Sequence, residues 1–168
     1  MTPNHVFSVA NGLALVAWLL LIVLPRQRWV TGLLAPVAMP AVFAAIYVAI
    51  IATQWKGSTG GFSSLPDVAT LFSQPWLLLA GWVHYLAFDL IIGSWEVRDA
   101  RERGIPHIAV VPCLALTFMF GPAGWLAYSG LRTAYARRTR HGQRLLWPVR
   151  VEQGPDRGAW RPVARRDD

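Results

Sequence analysis

Charged side chains are scarce in this chain of 168 residues, because Asp, Glu, Lys and Arg together make up only 15% of it while 54% is hydrophobic. A soluble domain usually carries about 25% charged residues. Strands would show as alternating apolar and polar residues, and no segment has that pattern. The composition argues against an ordinary soluble domain and the missing alternation against a β-rich fold. The sequence therefore predicts an all-α, polytopic integral membrane protein.

Cysteine occurs once, and several motifs of functional chemistry are missing. Cys113 has no partner for an intramolecular disulfide, so we interpret it as a small buried apolar residue. The sequence contains no His-Glu-x-x-His or Glu-x-x-His pattern, and we predict neither a metal site nor a cofactor. The glycine-rich segment after Lys56 lacks the Gly-x4-Gly-Lys-Ser/Thr order of a phosphate-binding loop.

Four apolar runs are each long enough to cross a bilayer of about 30 Å as a helix. We predict transmembrane helices over residues 6–24, 30–52, 76–93 and 107–131, which together form a membrane domain over residues 1–131. The third is expected to continue as a charged helix to residue 103, and the fourth to be kinked at 121–124. No Lys or Arg precedes the first run, which is longer than a signal-peptide core, so we expect it to be retained.

The connection between the second and third runs is the longest in the membrane domain. Ser64, Pro66 and Asp67 precede an apolar segment there, which is the order of a capped helix start. We therefore expect a short helix at the membrane interface.

Basic residues concentrate after Leu131, where the segment 132–168 holds ten arginines and three prolines. We interpret this segment as a disordered cytoplasmic tail that follows the positive-inside rule. Binding of its arginines to anionic lipid is a second expectation, and no nucleic-acid partner is expected.

Two arrangements of the fourth run are compatible with the sequence. A full crossing would place the short-loop arginines opposite the basic tail, whereas a hairpin at Gly121 and Pro122 would place all of them on one side, with only Lys56 opposite. Charge thus favours the hairpin. Length favours the crossing, because 25 apolar residues span a bilayer comfortably and neighbouring helices tolerate a Gly-Pro kink. We expect the full crossing.

Ionisable residues lie on one face of the third run. Placing an ionised side chain at the centre of a bilayer costs about 2.5 to 3.5 kcal/mol on insertion scales, so such residues normally face a protein interior or cavity. At about 100° per residue, the face spans an arc of about 140° and contains His84, Tyr85, Asp89, Glu96 and Asp99. We expect this face to line a polar slot inside the bundle.

Two interpretations of the slot remain open. In the first, His84, Asp89 and Glu96 carry out acid/base chemistry, since a general acid and base need ionisable groups in an apolar environment. The residues expected to bind the ligand are then Tyr85, Asp99, His107 and Asn11. In the second, the same residues only join helices through hydrogen bonds.

The slot residues lie in segments that resemble the ABA4-like membrane protein family, which includes a plant protein required for neoxanthin formation. The segments that carry the resemblance are GWVHYLAFDL at 81–90, WEVRDA at 95–100, GIPH at 104–107, VPC at 111–113 and FGPAG at 120–124. The resemblance extends over residues 10–132. It implies a small integral membrane protein and, for plant members, isomerisation of an epoxycarotenoid to an allenic carotenoid.

Two classes of function follow from the resemblance and the slot. The first is an isomerase that acts on a carotenoid or another isoprenoid lipid by acid/base catalysis. The second is a non-catalytic binder or assembly factor for a hydrophobic ligand or a partner helix. Arginine greatly outnumbers lysine, which is typical of a bacterium with a GC-rich genome, so we expect the protein in the bacterial inner membrane with its tail in the cytoplasm.

Overall fold

The computed structural model describes residues 2–146, with side chains described to residue 137, and every regular element in that part of the chain is helical. In chain order the elements are α1 (Pro3–Val23), a π-helical segment (Val30–Ala38) that continues as α2 (Met39–Gln54), a 3-10 turn (Trp55–Gly57), α3 (Leu65–Phe72), α4 (Pro75–Glu102), α5 (His107–Phe120) and α6 (Pro122–Leu146). Three stretches, Pro3–Val23, Val30–Gly57 and Pro75–Glu102, are long and apolar enough to cross a membrane. The predicted all-helical membrane bundle is confirmed.

Helices α1 and α4 lie side by side and run in the same direction. Near one end, Trp82 donates a hydrogen bond from Nε1 to Oδ1 of Asn11 at 2.8 Å. Further along, the ring of Trp18 covers Gly93, where a Cβ would lie 2.7 Å from Cζ3 of the tryptophan. The absence of a side chain at position 93 therefore lets α1 approach α4 closely, and Trp18 is fully buried between the helices.

The second span runs antiparallel to α4. Its first residues lie beside the end of α4, where Arg98 donates from Nη1 to the carbonyl oxygen of Thr31 at 3.4 Å. Its later residues lie beside the beginning of α4, where the rings of Tyr47 and His84 are 5.7 Å apart. The short helix α3 begins at the expected cap, since the side chain of Ser64 accepts a hydrogen bond from the backbone N–H of Asp67.

The second span begins as a π-helix instead of the regular α-helix expected there. Pro36 has no backbone N–H and its ring would crowd the carbonyl group four residues earlier in an α-helix. In the structure the N–H of Met39 donates to the carbonyl oxygen of Leu34, five residues earlier. The wider turn accommodates the proline without ending the helix.

The fourth apolar run does not cross the bundle, so the expected kinked crossing over residues 107–131 is wrong. Helix α5 ends at Phe120, α6 begins at Pro122, and Gly121 between them has φ of +35°, which favours glycine. The two helices then fold back on each other, because Gly124 of α6 packs directly against Thr117 of α5. Residues 107–131 therefore form a hairpin, which we call the α5–α6 hairpin.

The α5–α6 hairpin enters and leaves on the same side of the bundle. At its start, Nε2 of His107 lies 2.8 Å from the carbonyl oxygen of Ile22, near the end of α1. At its tip, Gly121 lies against Asp89, close to the midpoint of α4. On its return, Arg132 comes within 3.1 Å of Asp99 near the end of α4. The tip thus reaches about halfway along α4.

The hairpin tip satisfies most of its backbone polar groups inside the protein. Non-helical backbone is tolerated at membrane depth only where protein or water satisfies its hydrogen bonds. The N–H of Gly121 donates to Thr117, the carbonyl oxygen of Phe118 accepts from the Tyr85 hydroxyl at 2.9 Å, and Pro122 has no N–H. The chain can therefore turn at Gly121 and Pro122, although the length of the apolar run suggested a continuous crossing.

The arginines of the described loops and helix ends share one end of the bundle, which we call the arginine side. Arg26 and Arg28 follow α1, and Arg101 and Arg103 lie at the end of α4. Lys56 follows α2 at the opposite end. The hairpin is thus the arrangement that the distribution of charge favoured.

Helix α6 extends to Leu146, beyond residue 132 where the sequence predicted that the tail begins. Alanine, leucine and arginine have high helix propensity, and this segment is rich in them. The rest of the predicted tail, residues 147–168, lies outside the described residues.

Candidate functional site

Two carboxylate side chains of α4 point toward the α5–α6 hairpin inside the bundle. Asp89 is 6% exposed and Glu96 is 0% exposed. A separation of seven positions makes about two helical turns, so both carboxylates leave the same face of α4, about 10.5 Å apart along its axis. The structure therefore brings these two predicted residues onto one buried face.

Glu96 is held by one hydrogen bond from the hairpin. Its Oε1 accepts from the hydroxyl of Thr117 at 3.0 Å, and its Oε2 is buried with no hydrogen-bond partner in the described part of the chain. Thr117 is itself positioned by Gly124, which packs against its backbone and hydroxyl. The close approach of the two hairpin helices thus sets the position of the donor to Glu96.

Asp89 lies against the hairpin tip. A Cβ at position 121 would lie 2.9 Å from its Oδ1, and its Oδ2 is buried without a hydrogen-bond partner among residues 2–137. Neither Asp89 nor Glu96 belongs to an ion pair there. Each carboxylate therefore has one oxygen that accepts no hydrogen bond from the described residues.

Asp89 also opens onto a groove of about 560 Å³ between α4 and the start of α6. Ile91, Ile92, Trp95 and Trp125 form most of its walls, and Arg98 is also among its lining residues. Ligand pockets of this size are typically apolar with a few well-placed polar groups. We call this cavity the Asp89 groove.

Asp99 is tied to the protein at the arginine side. Its Oδ2 accepts from the Tyr128 hydroxyl at 2.7 Å and from Nε of Arg103 at 2.8 Å, and Nε of Arg132 lies 3.1 Å away as an ion pair. The hydrogen bond to Asp99 raises the pKa of the Arg103 guanidinium. These contacts fasten α6 to α4. The described lining of the Asp89 groove does not include Asp99.

The structure separates His84 from the two buried carboxylates. Its exposed ring lies between those of Phe88, at 4.6 Å, and Tyr47, at 5.7 Å. It lines a different cavity, of about 260 Å³, beside α2 and α3. The expected arc of about 140° on α4 is wide enough for two different packing partners. His84 lies at one edge, beside α2 and α3, and Asp89 lies at the other, beside the α5–α6 hairpin.

The other expected ligand-binding residues form hydrogen bonds within the protein. Tyr85 donates to the carbonyl oxygen of Phe118, Asn11 accepts from Trp82, and a ring nitrogen of His107 lies at the carbonyl oxygen of Ile22. Each pair joins two helices. These contacts are of the kind described by the second interpretation of the slot, in which polar residues hold the helices together. The described lining of the Asp89 groove contains none of these three predicted residues.

Several residues of the site had no predicted role. Thr117, Gly124 and Trp125 come from the hairpin, and their positions depend on its reversal. The segment 121–124 was recognised as a break, but a break does not specify which side chains meet across it. Arg98 lies outside the polar arc predicted for the third run, so the helical period gave it no role.

A bundle of three apolar spanning helices with buried carboxylates facing a re-entrant hairpin defines a polytopic α-helical membrane protein with a candidate site at membrane depth. Residues 5–128 match the family model ABA4-like, described as ABA DEFICIENT 4-like, and the chain belongs to this family. The match includes both buried carboxylates and the hairpin turn. No curated protein and no solved structure matches the chain.

Proposed function

We propose that this protein isomerises a carotenoid or another isoprenoid lipid by acid/base chemistry at Asp89 and Glu96. The observation that carries the proposal is the pair of buried carboxylates, each with an oxygen free of hydrogen bonds in the described residues, one of which opens onto an apolar groove. Buried ionisable residues in a membrane protein are rare, and they commonly mark proton or substrate pathways.

An epoxide-to-allene isomerisation illustrates the chemistry. Asp89 in its acid form donates a proton to the epoxide oxygen as one C–O bond breaks, which produces a hydroxyl group and a carbocation. The resulting carboxylate removes a proton from the adjacent polyene carbon, and the C–H electron pair forms the new cumulated double bond. Atoms and charge balance without an oxidant or reductant, and Asp89 regains its proton.

The apolar walls of the groove and the position of Glu96 support this scheme. Water would capture the carbocation as a diol, and a groove lined by isoleucine and tryptophan side chains limits its access. Glu96 lies two turns closer to the arginine side than Asp89. In the proposal it supplies and accepts protons behind Asp89, whereas His84, which faces the other cavity, takes no part.

The test replaces each buried carboxylate by its amide. Asp89→Asn and Glu96→Gln keep the shape but remove the ionisable group, and general acid/base catalysis is typically worth about 10²- to 10⁴-fold in rate. We expect product formation to fall by a factor in this range for Asp89→Asn. The assay is the pigment and isoprenoid lipid profile of a deletion strain that expresses each variant, with membrane protein levels measured in parallel.

Glu102→Gln is the matched control, because Glu102 is an exposed carboxylate on the same helix. It should restore the wild-type profile. If Asp89→Asn and Glu96→Gln also restore it at normal protein levels, the acid/base proposal is wrong.

A non-catalytic lipid binder is the second candidate, and a separate cavity favours it. This cavity of about 540 Å³ lies between α1 and α2, is walled by Val6, Val9, Ile46 and Ile50, and has no carboxylate in its lining. Mass spectrometry of lipids that copurify with the protein distinguishes the candidates. A binder would retain its lipid and its function in the two amide variants, while an isomerase would retain the lipid but lose the product.

A further inference from the structure

We infer that Arg98 is a positioning residue that holds the oxygen-bearing end group of the ligand in the Asp89 groove. This inference rests on the proposed function, and it specifies the substrate as an extended chain with a terminal hydroxyl or oxyanion. The observation behind it is that one groove is lined by a buried carboxylate, an apolar wall and a guanidinium.

The two polar groups of the groove are well separated. Asp89 and Arg98 are nine positions apart in the sequence, which corresponds to about 13.5 Å along α4 and about two and a half turns. Their side chains leave the helix on different sides, so the groove runs obliquely between them past Ile92 and Trp95. A ligand that reaches both groups is therefore extended, with no polar partner along the middle of its length.

The Arg98 guanidinium has more N–H donors than the hydrogen bond in the described residues uses. Its guanidinium carries five N–H donors, yet its hydrogen bond in the described residues is a long one, at 3.4 Å to the carbonyl oxygen of Thr31. It forms no ion pair with a carboxylate of the described chain, whereas Arg103 and Arg132 both pair with Asp99. Arg98 is thus the guanidinium of the groove that can bind an acceptor on a ligand.

The depth of the two groups indicates how the ligand is oriented. Asp89 lies near the midpoint of α4, and Arg98 lies four residues before Glu102, the last residue of the helix, on the arginine side. A polar end group at Arg98 would therefore sit near the membrane surface, and the chain would extend toward the centre. At about 1.2 Å per bond, as in an extended backbone, the separation of about 13.5 Å along α4 places the reacting carbon about eleven bonds from the end-group oxygen.

The experiment measures binding to the purified full-length protein in nanodiscs. The probes are all-trans-retinol, all-trans-retinoate and the corresponding hydrocarbon with a methyl group in place of the alcohol. These polyenes quench tryptophan fluorescence, and Trp95 and Trp125 line the groove. Arg98→Met keeps the apolar stem but removes every donor, and Arg101→Met, at an exposed arginine outside the groove, is the matched control.

We expect Arg98→Met to weaken binding of an oxygenated probe about tenfold or more, as loss of a hydrogen bond from a charged group implies. Binding of the hydrocarbon should stay unchanged, and Arg98→Lys should restore part of the affinity. A larger loss for retinoate than for retinol identifies an oxyanion as the preferred end group, and equal losses identify a hydroxyl. Either result supports the assignment.

The inference is overturned if Arg98→Met leaves both oxygenated probes unaffected or weakens all three probes equally. If the methionine variant does not fold, Arg98→Lys is compared with the wild type instead. It should bind the oxygenated probes more weakly than the wild type does and the hydrocarbon equally well. Failure here is distinct from failure of the proposed function, because Asp89→Asn should bind all three probes and still form no product. Product formation by Asp89→Asn would refute the isomerase and leave the result at Arg98 standing.

Discussion

Replacing Gly124 by alanine should separate the two helices of the hairpin. A Cβ at this position would overlap the backbone nitrogen, the Cα and the hydroxyl of Thr117, at separations below the 3.0 Å that real Cβ atoms respect. Two of these atoms belong to the backbone, so rotation of a side chain cannot relieve the overlap. The helices must move apart by about 1 Å or more, and Thr117 is the donor to Glu96.

The expected loss of stability combines two effects. Overpacking of a tight contact typically costs about 1 to 3 kcal/mol. Loss of the Thr117 donor would leave a further buried oxygen of Glu96 unsatisfied, which costs about 1 to 3 kcal/mol. The better helix propensity of alanine offsets at most about 1 kcal/mol. Because the first two effects arise from one displacement and are not fully additive, we expect a net loss of about 2 to 4 kcal/mol.

Gly130→Ala in the same helix is the control, because a Cβ there meets no atom within 4 Å. It should leave stability unchanged or raise it by about 0.5 to 1 kcal/mol. Reversible unfolding in mixed micelles measures both variants against the wild type. Equal stability of Gly124→Ala and Gly130→Ala would show that the hairpin is not packed as described.

Two further predictions concern topology and the distal tail. In a Cys113→Ala background, single cysteines at Glu102 and Gln143 should be labelled from the same side of the membrane, and one at Lys56 from the opposite side. We propose that the side shared by Glu102 and Gln143 is the cytoplasm of a bacterial cell. Labelling of Glu102 and Gln143 from opposite sides would instead support the full crossing. Truncation after Leu146 should preserve insertion and product formation, because α1 to α6 remain, but should reduce binding to vesicles rich in anionic lipid. Disappearance of the truncated protein from the membrane would contradict the first expectation, and unchanged vesicle binding the second.

Hydropathy predicted the three spanning helices but could not predict the hairpin. Hydropathy reports how long an apolar run is, but not whether the chain reverses within it. Residues 107–131 were therefore compatible with one long crossing and equally with two shorter helices. The reversal depends on contacts between distant residues, chiefly Gly124 with Thr117 and Tyr85 with the carbonyl group of Phe118. The sequence signal for it was the distribution of arginines, which follows from topology and is independent of helix length.

The candidate site was predictable in part for a related reason. The helical period placed Asp89 and Glu96 on one face, and both carboxylates are buried toward the hairpin. The helical period could not show that His84 faces a different part of the bundle from the two carboxylates. That difference depends on where the neighbouring helices lie. Thr117 and Arg98 entered the site only through tertiary structure.

The three acidic residues on the buried face of α4 differ in the number of partners that hold them. Asp99, nearest the arginine side, has contacts from Tyr128, Arg103 and Arg132. Glu96 has a single donor, and Asp89 interacts with the Tyr85 hydroxyl while its Oδ2 has no partner in the described structure. A carboxylate held by several donors and cations is stabilised in its charged form and is poorly suited to exchange protons with a ligand. Asp99 therefore serves to anchor the returning helix of the hairpin. That anchor holds the turn at the depth of Asp89, whose carboxylate meets the apolar groove.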